Sequence, residues 1–231
     1  MKPFEELSQL GRIRRMRRLA QAALNAYGLS DVRFKFLRQA GNTLFRVNET
    51  NPAPTTKTEL YTQGQYMLRI HQPGYQTTEA IELELAWLAA MCRDDHLPVP
   101  EPVSTLDGNL FTQVSISGIP GQRTCSLLRW VKGRFITKDI RPHHYMAQGR
   151  LMARLHNHAA LWPAPKGLTK RKYDWDGLFR DDTGEGLPAS EAWSLLPQEY
   201  VKPFEVVTRK VKLVMDEWGK QSKGKMMAVE I

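Results

Sequence analysis

The run "YMLRIH", Tyr66–His71, sets the tightest condition on the fold, because a strand this apolar carries a permanent cation, Arg69, in its middle. On a half-buried strand a guanidinium needs an acidic partner or an anionic ligand, since burying it alone costs several kcal/mol. The next segment offers a partner. Residues Thr77–Asp94 have apolar side chains at Ile81, Leu85, Leu88 and Cys92, a helical spacing. Glu84 lies on that stripe, three residues after Ile81 and four before Leu88, whereas Glu82 falls with Ala86 and Ala89 on another face. Two other readings fit the same spacing: a purely structural ion pair, or an arginine on the solvent face of an edge strand.

The surrounding chain supplies a sheet for such a strand. "VRFKFL" alternates in strand fashion, and "GNTLFRV" is a turn running into a second strand. The polar, proline-bearing stretch Asn48–Gln65 is expected as an exposed hairpin connection. After the helix, "LPVPEPV" breaks the pattern, and two strands are expected around "TLDGNLFTQVSI" with a hairpin turn at Asp107-Gly108. "CSLLRWVKGR" is one more strand, ending at Gly133. Beyond it the texture is helical, over His143–Ala160 and Pro197–Trp218. The expectation is α+β: a small antiparallel-sheet lobe with one helix, residues 1–132, followed by a helical part, residues 133–231.

Composition narrows the class. The chain has 231 residues, 42% hydrophobic and 25% charged, as in ordinary globular proteins. No apolar run reaches the roughly 18 to 20 residues of a membrane span, and the N-terminus lacks the apolar core of a secretion signal. Cys92 and Cys125 sit in apolar patterns and suggest no disulfide, so a reducing cytoplasm is expected. The net charge of +9 draws on Arg12, Arg14, Arg15, Arg17 and Arg18, which alternate with Leu10, Ile13, Leu19 and Ala23 in a helical rhythm. That helix is read as having a solvated basic face. No nucleic-acid motif accompanies it, and neither nucleic acid nor membrane is expected as a partner.

Taken in order, "GNTLFRV", "YMLRIHQPGY", "AIELELAWLAAM", "LPVPEPV", "LLRWVKGR" and "GRLMARLHNHAALW" resemble the aminoglycoside phosphotransferase family, which includes choline and homoserine kinases. The resemblance covers roughly Leu10 to Gly219. It implies a protein-kinase-like fold with ATP between two lobes. By position, Arg69 matches the strand residue that holds phosphates, and Glu84 its helix partner. Gly41, Asn42 and Thr43 match the phosphate loop, while Arg129, Trp130 and Val131 match the hinge whose backbone holds adenine. An arginine at the strand position is a bidentate phosphate ligand where a lysine is a point charge.

The family's remaining chemistry is not found. Phosphoryl transfer uses an aspartate on the acceptor hydroxyl and metal-binding asparagine and aspartate residues, which the family carries in a H-x-D-x-x-x-x-N loop and a following acidic stretch. None of His71, His96, His143, His144, His156 and His158 is followed two positions later by aspartate. Only "KQSKGKMMAVEI" follows "VKLVMDEWG", after which the loop is expected. The chain is therefore read as a C-terminally truncated or frameshifted relative, or one half of a split protein, with no catalytic and no metal residues. The helical lobe is then incomplete, and magnesium, expected in the full-length family, lacks its ligands here.

Other motifs are given plainer roles. "DWD", Asp174–Asp176, and the pair Asp181 and Asp182 are taken as scaffold and solvated loop. His156 of "HNH" is taken as a core histidine on a stripe with Met152 and Ala159, and Cys125 as a small buried hydrophobe. The expected function is that of a kinase-like phosphotransferase relative limited to binding ATP, whose family acts on a hydroxyl of a small molecule or protein. The alternatives are a non-catalytic binding module, a half completed by another polypeptide, and a genetic remnant.

Overall fold

The computed structural model describes residues 2–53, 59–94, 96–134, 136–168, 175 and 189–221. The chain divides into two compact units, Met1–Leu155 with Ala164–Leu168, and His156–Pro163 with Thr169–Ile231.

The first unit is built on an antiparallel sheet of five strands, in the order β1-β2-β3-β5-β4. The strands are β1 (Val32–Ala40), β2 (Asn42–Glu49), β3 (Tyr61–Ile70), β4 (Phe111–Val114) and β5 (Arg123–Val131). Period-two alternation sends successive side chains to opposite faces, and the register makes the two faces unlike. Phe36, Phe45, Leu68 and Leu127 stand side by side across four strands. Helix α1 (Gln9–Asn25) lies on this face, adding Met16, Leu19, Ala20, Ala23 and Leu24 to one apolar cluster with them. One step along β2, β3 and β5 stand Leu44, Arg69 and Ser126, with Phe111 of β4 opposite Ser126. That side belongs to α2 (Thr78–Asp94), whose Ile81 and Leu85 pack with Leu128, Met67 and Phe111.

Local chemistry fixes the ends of these elements. The Ser8 hydroxyl caps α1 by accepting from the Gly11 amide. At its other end Leu29 N–H donates to Leu24 C=O, and Gly28 takes the left-handed φ of +73° that this closure needs. The Tyr27 hydroxyl then donates to the Cys125 carbonyl at 3.0 Å, tying the helix end to the central sheet.

Several expectations are corrected. The buried face of α1 is shifted from the one expected, and Leu10 is 58% exposed. Its arginines are not simply solvated. Arg12 donates to the Glu5 carbonyl, Arg15 to the carbonyls of Gly118 and Lys2, and Arg17 to that of Phe34. They clamp neighbouring segments that have spare carbonyls.

Strand β3 begins at Tyr61, inside the stretch expected as connection, because a register shift around Gly64 lets the polar part pair. Gly64 has φ +64°, and a Cβ there would stand 2.5 Å from Pro52 Cβ. Only one strand forms around "TLDGNLFTQVSI". The residues before the turn instead run along β5, with Val103 N–H on Leu127 C=O and Arg129 N–H on Glu101 C=O.

Helix α3 (Pro142–Leu161) forms as expected, but its buried side chains are Leu155, His158 and Ala159. His156 is exposed, so the histidine on the buried stripe is the neighbour two residues on.

The second unit contains α4 (Ala189–Ser194) and α5 (Gln198–Gln221). Trp193 packs edge-on against Phe204 with ring centroids 5.4 Å apart. Along the rest of α5, Tyr200, Val207, Val211, Val214 and Trp218 are exposed. Asp174, Asp176, Asp181 and Asp182 lie outside the described residues.

Candidate nucleotide site

Arg69 emerges from the α2 side of β3 and meets Glu84, with Nη1 donating to Oε1 at 2.8 Å. The two side chains keep 14% and 23% of their surface, so the pair is sheltered. Glu84 can reach because it lies on the helix face that also buries Ile81 and Leu85. The remaining guanidinium nitrogens are unequal. Nε donates to Ser126 Oγ at 3.4 Å, and Nη2 is buried with no hydrogen-bond partner among the described residues. A buried donor left unmatched costs about 1–3 kcal/mol, a cost relieved when an acceptor arrives.

His71, one residue past the end of β3, is 4% exposed and brings Nε2 to 3.1 Å from Ser126 Oγ. Burial, and secondarily the charge of Arg69, lowers its pKa to about 3, so the imidazole is neutral at physiological pH. Its Nδ1 is the second buried polar atom here without a partner. Neither His71 nor Ser126 was singled out from sequence. The signal available was each one's polarity inside an apolar strand, at the alternation that places it beside Arg69.

The three residues expected as a phosphate loop divide. Gly41 makes the turn between β1 and β2 with φ +73°, and nothing nearer than Gln72 Oε1 at 3.7 Å would meet a Cβ there. Asn42 and Thr43 are already paired strand residues of β2. Asn42 Oδ1 accepts from the Gln72 amide at 3.0 Å, which holds the turn against the end of β3. Thr43 is buried, in the alternation that also buries Phe45 and Val47, so its side chain belongs to the apolar face.

The expected hinge residues are the last three of β5. The Arg129 amide is engaged by the Glu101 carbonyl at 2.8 Å, and its Nε lies 3.0 Å from Glu101 Oε2. Trp130 lies under the Arg46 guanidinium at 4.5 Å from the ring centroid, and Val131 is opposite Tyr61. Arg129 therefore cannot offer its amide to a base. Arg46, also missed from sequence, stands on the same sheet face as Arg69.

Comparison with known proteins bears on this geometry. The model of the phosphotransferase enzyme family matches residues 53–202, a span that includes β3, α2 and β5. The chain belongs to that family. A search of curated proteins found no match. Among solved structures, the chain is similar to a microcompartment-associated aminopropanol kinase, with 26% identity and a TM-score of 0.55 over 69% of this chain and 45% of that one. It is also similar to an amicoumacin kinase solved with AMP-PNP and Ca2+, with 16% identity and a TM-score of 0.59 over 94% of this chain and 55% of that one. The second likeness shows the fold alone, which is the kinase-like α+β fold expected from the sequence. The chain spans about half the length of either structure.

Proposed function

We propose that this chain binds a nucleoside triphosphate on the α2 side of its sheet. Arg69 receives the phosphates, Glu84 holds Arg69 in place, and the Gly41 turn lies over the end of β3. The observation that carries the reading is the sheltered Arg69–Glu84 pair with Nη2 of the arginine still unmatched. Glu84 holds Nη1 and Ser126 accepts from Nε, which leaves Nη2 as the guanidinium donor for a phosphoryl oxygen. The family match supports ATP as the nucleotide and a hydroxyl of a small molecule or protein as the family's acceptor.

In this proposal residues 1–132 act as the nucleotide-binding lobe and 133–231 as part of a helical lobe. Asn42, Thr43, Trp130 and Val131 border the site in this proposal through the path of the chain and make no side-chain contact to the nucleotide. Nucleotide binding is the activity assigned. Among the described residues no group of three His, Cys, Asp or Glu could hold a metal ion, and no metal-dependent step is assigned to them.

Thermal melting tests the reading. ATP should raise the melting temperature, adenosine should raise it far less, and Arg69→Ala should abolish the ATP shift while Arg69→Lys keeps part of it. An ATP shift that survives Arg69→Ala sinks the site. Robust magnesium-dependent turnover by the purified chain would overturn the restriction to binding.

A second reading, a half completed by another polypeptide, is favoured by the apolar stripe on α5. Tyr200, Val207, Val211, Val214 and Trp218 share one side of the helix and are each at least 41% exposed. Such a stripe should bind a fluorescent apolar dye, and Val211→Glu with Val214→Glu should abolish that binding. A wild-type chain that leaves the dye dark would remove the support for this reading.

A further inference from the structure

The row beside Arg69 contains a hydrogen-bond chain in which Ser126 Oγ bridges Arg69 Nε and His71 Nε2. Nε of a guanidinium only donates, so Ser126 Oγ accepts from it. The serine hydroxyl has one proton of its own. Among the described residues its other side-chain contact is His71 Nε2 at 3.1 Å. If the hydroxyl donates there, Nε2 carries the lone pair and the proton of the neutral ring sits on Nδ1. That proton is then a buried donor with nothing to donate to, as is Arg69 Nη2. Arg69 Nη2 and His71 Nδ1, both unmatched and two residues apart at the end of β3, stand where Asn42 holds the Gly41 turn. An acceptor that reached both atoms would satisfy them together.

We propose that Ser126 and His71 complete the phosphate cradle around Arg69, Ser126 as the positioning residue that aims the guanidinium and His71 as a second, neutral donor to phosphoryl oxygens through Nδ1–H. A neutral donor suits this position. It adds a hydrogen bond without setting a like charge against Arg69, and burial of the ring keeps it neutral. The ligand chemistry is that of a nucleoside di- or triphosphate rather than a nucleoside. The inference rests on the phosphate-binding reading of Arg69.

Long-range 1H–15N spectra of the histidine rings in the full chain, titrated with ATP, ADP and adenosine, test it. His71 should be the Nδ1–H tautomer before ligand, and its Nδ1 signal should move with ATP and ADP but not with adenosine. Ser126→Ala should weaken ATP and ADP alike by about tenfold, leaving adenosine unaffected. His71→Asn, whose amide can stand near the Nδ1 position, should retain more affinity than His71→Phe. An Nε2–H tautomer overturns the inference, as does a wild type that binds ATP with an unmoved His71 or undiminished affinity in Ser126→Ala. A wild type indifferent to ATP overturns the underlying site, and this role falls with it.

Discussion

The two faces of the sheet are made from alternate residues of the same strands, and they do different work. The row Phe36, Phe45, Leu68 and Leu127 is apolar across four strands, and α1 seals it. The row Leu44, Arg69 and Ser126, one residue away on β2, β3 and β5, and Phe111 of β4 beside it, has a charge and a hydroxyl at its centre and a glutamate paired with the charge. The first face gains stability from burial, at roughly 25 cal/mol per Å² of apolar surface. The second gives some of that up to hold an ion pair and two buried polar atoms without partners among the described residues.

The sharpest way to break this contrast is to damage each face separately. Leu68→Ala removes a side chain with no exposed surface from the apolar face. It should cost about 2–5 kcal/mol in urea unfolding, yet leave ATP affinity intact in the fraction that stays folded. Loss of affinity at unchanged stability would mean the faces are not separable.

Glu84→Leu should cost less, about 1–3 kcal/mol, because Arg69 loses its partner but keeps some access to water. Pairing it with Arg69→Met should recover most of that stability while abolishing the ATP-dependent melting shift. A double variant as unstable as the single one would make the ion pair chiefly structural. Gly64→Ala should cost about 1–2 kcal/mol from its left-handed backbone alone, and more because Pro52 fills the space a Cβ would need. Urea unfolding of this variant checks that β3 needs its irregularity to pass from the polar stretch into the strand.

Acid separates the faces more gently. His71 takes up its proton near pH 3 when folded and near its ordinary 6.5 when unfolded. Between those values the unfolded chain binds more protons, so the His71 contribution is flat above about 6.5 and stability falls as pH drops toward 3. His71→Gln should flatten the slope in that window by up to about 1.4 kcal/mol per pH unit. Identical slopes in both proteins would show that the ring is not held neutral. The smallest expected effect is on α1, where exposed Arg14→Ala should change stability by less than about 0.5 kcal/mol. Arg15→Ala, which loses the carbonyls of Gly118 and Lys2, should change it more, and equal effects would restore the reading of a merely solvated face.

Much of the fold was legible before any coordinates. Alternation in "VRFKFL" and "YMLRIH", the 3.6-residue spacing around Glu84 and the glycine after α1 each act over a few neighbouring residues, and each gave the expected element. What was misread depended on partners far along the chain. "LPVPEPV" pairs with β5 because a free strand edge is there to receive it, and Tyr61–Gln65 join β3 because their neighbours offer a ladder. His158 rather than His156 is buried, in helical phase with Leu155 and Ala159.

The site divides in the same way. That Arg69 calls for a carboxylate or an anion, with Glu84 as the candidate, was legible in the sequence, since a lone buried charge is too costly to keep. The 2.8 Å contact then chose the pair with Glu84 over a solvent-facing arginine. That Ser126 and His71 stand beside it, that Thr43 turns into the apolar core, and that the Arg129 amide is already taken were decided by strand register. Register is a property of pairs of distant segments, and a shift of one residue would have sent every one of those side chains to the other face.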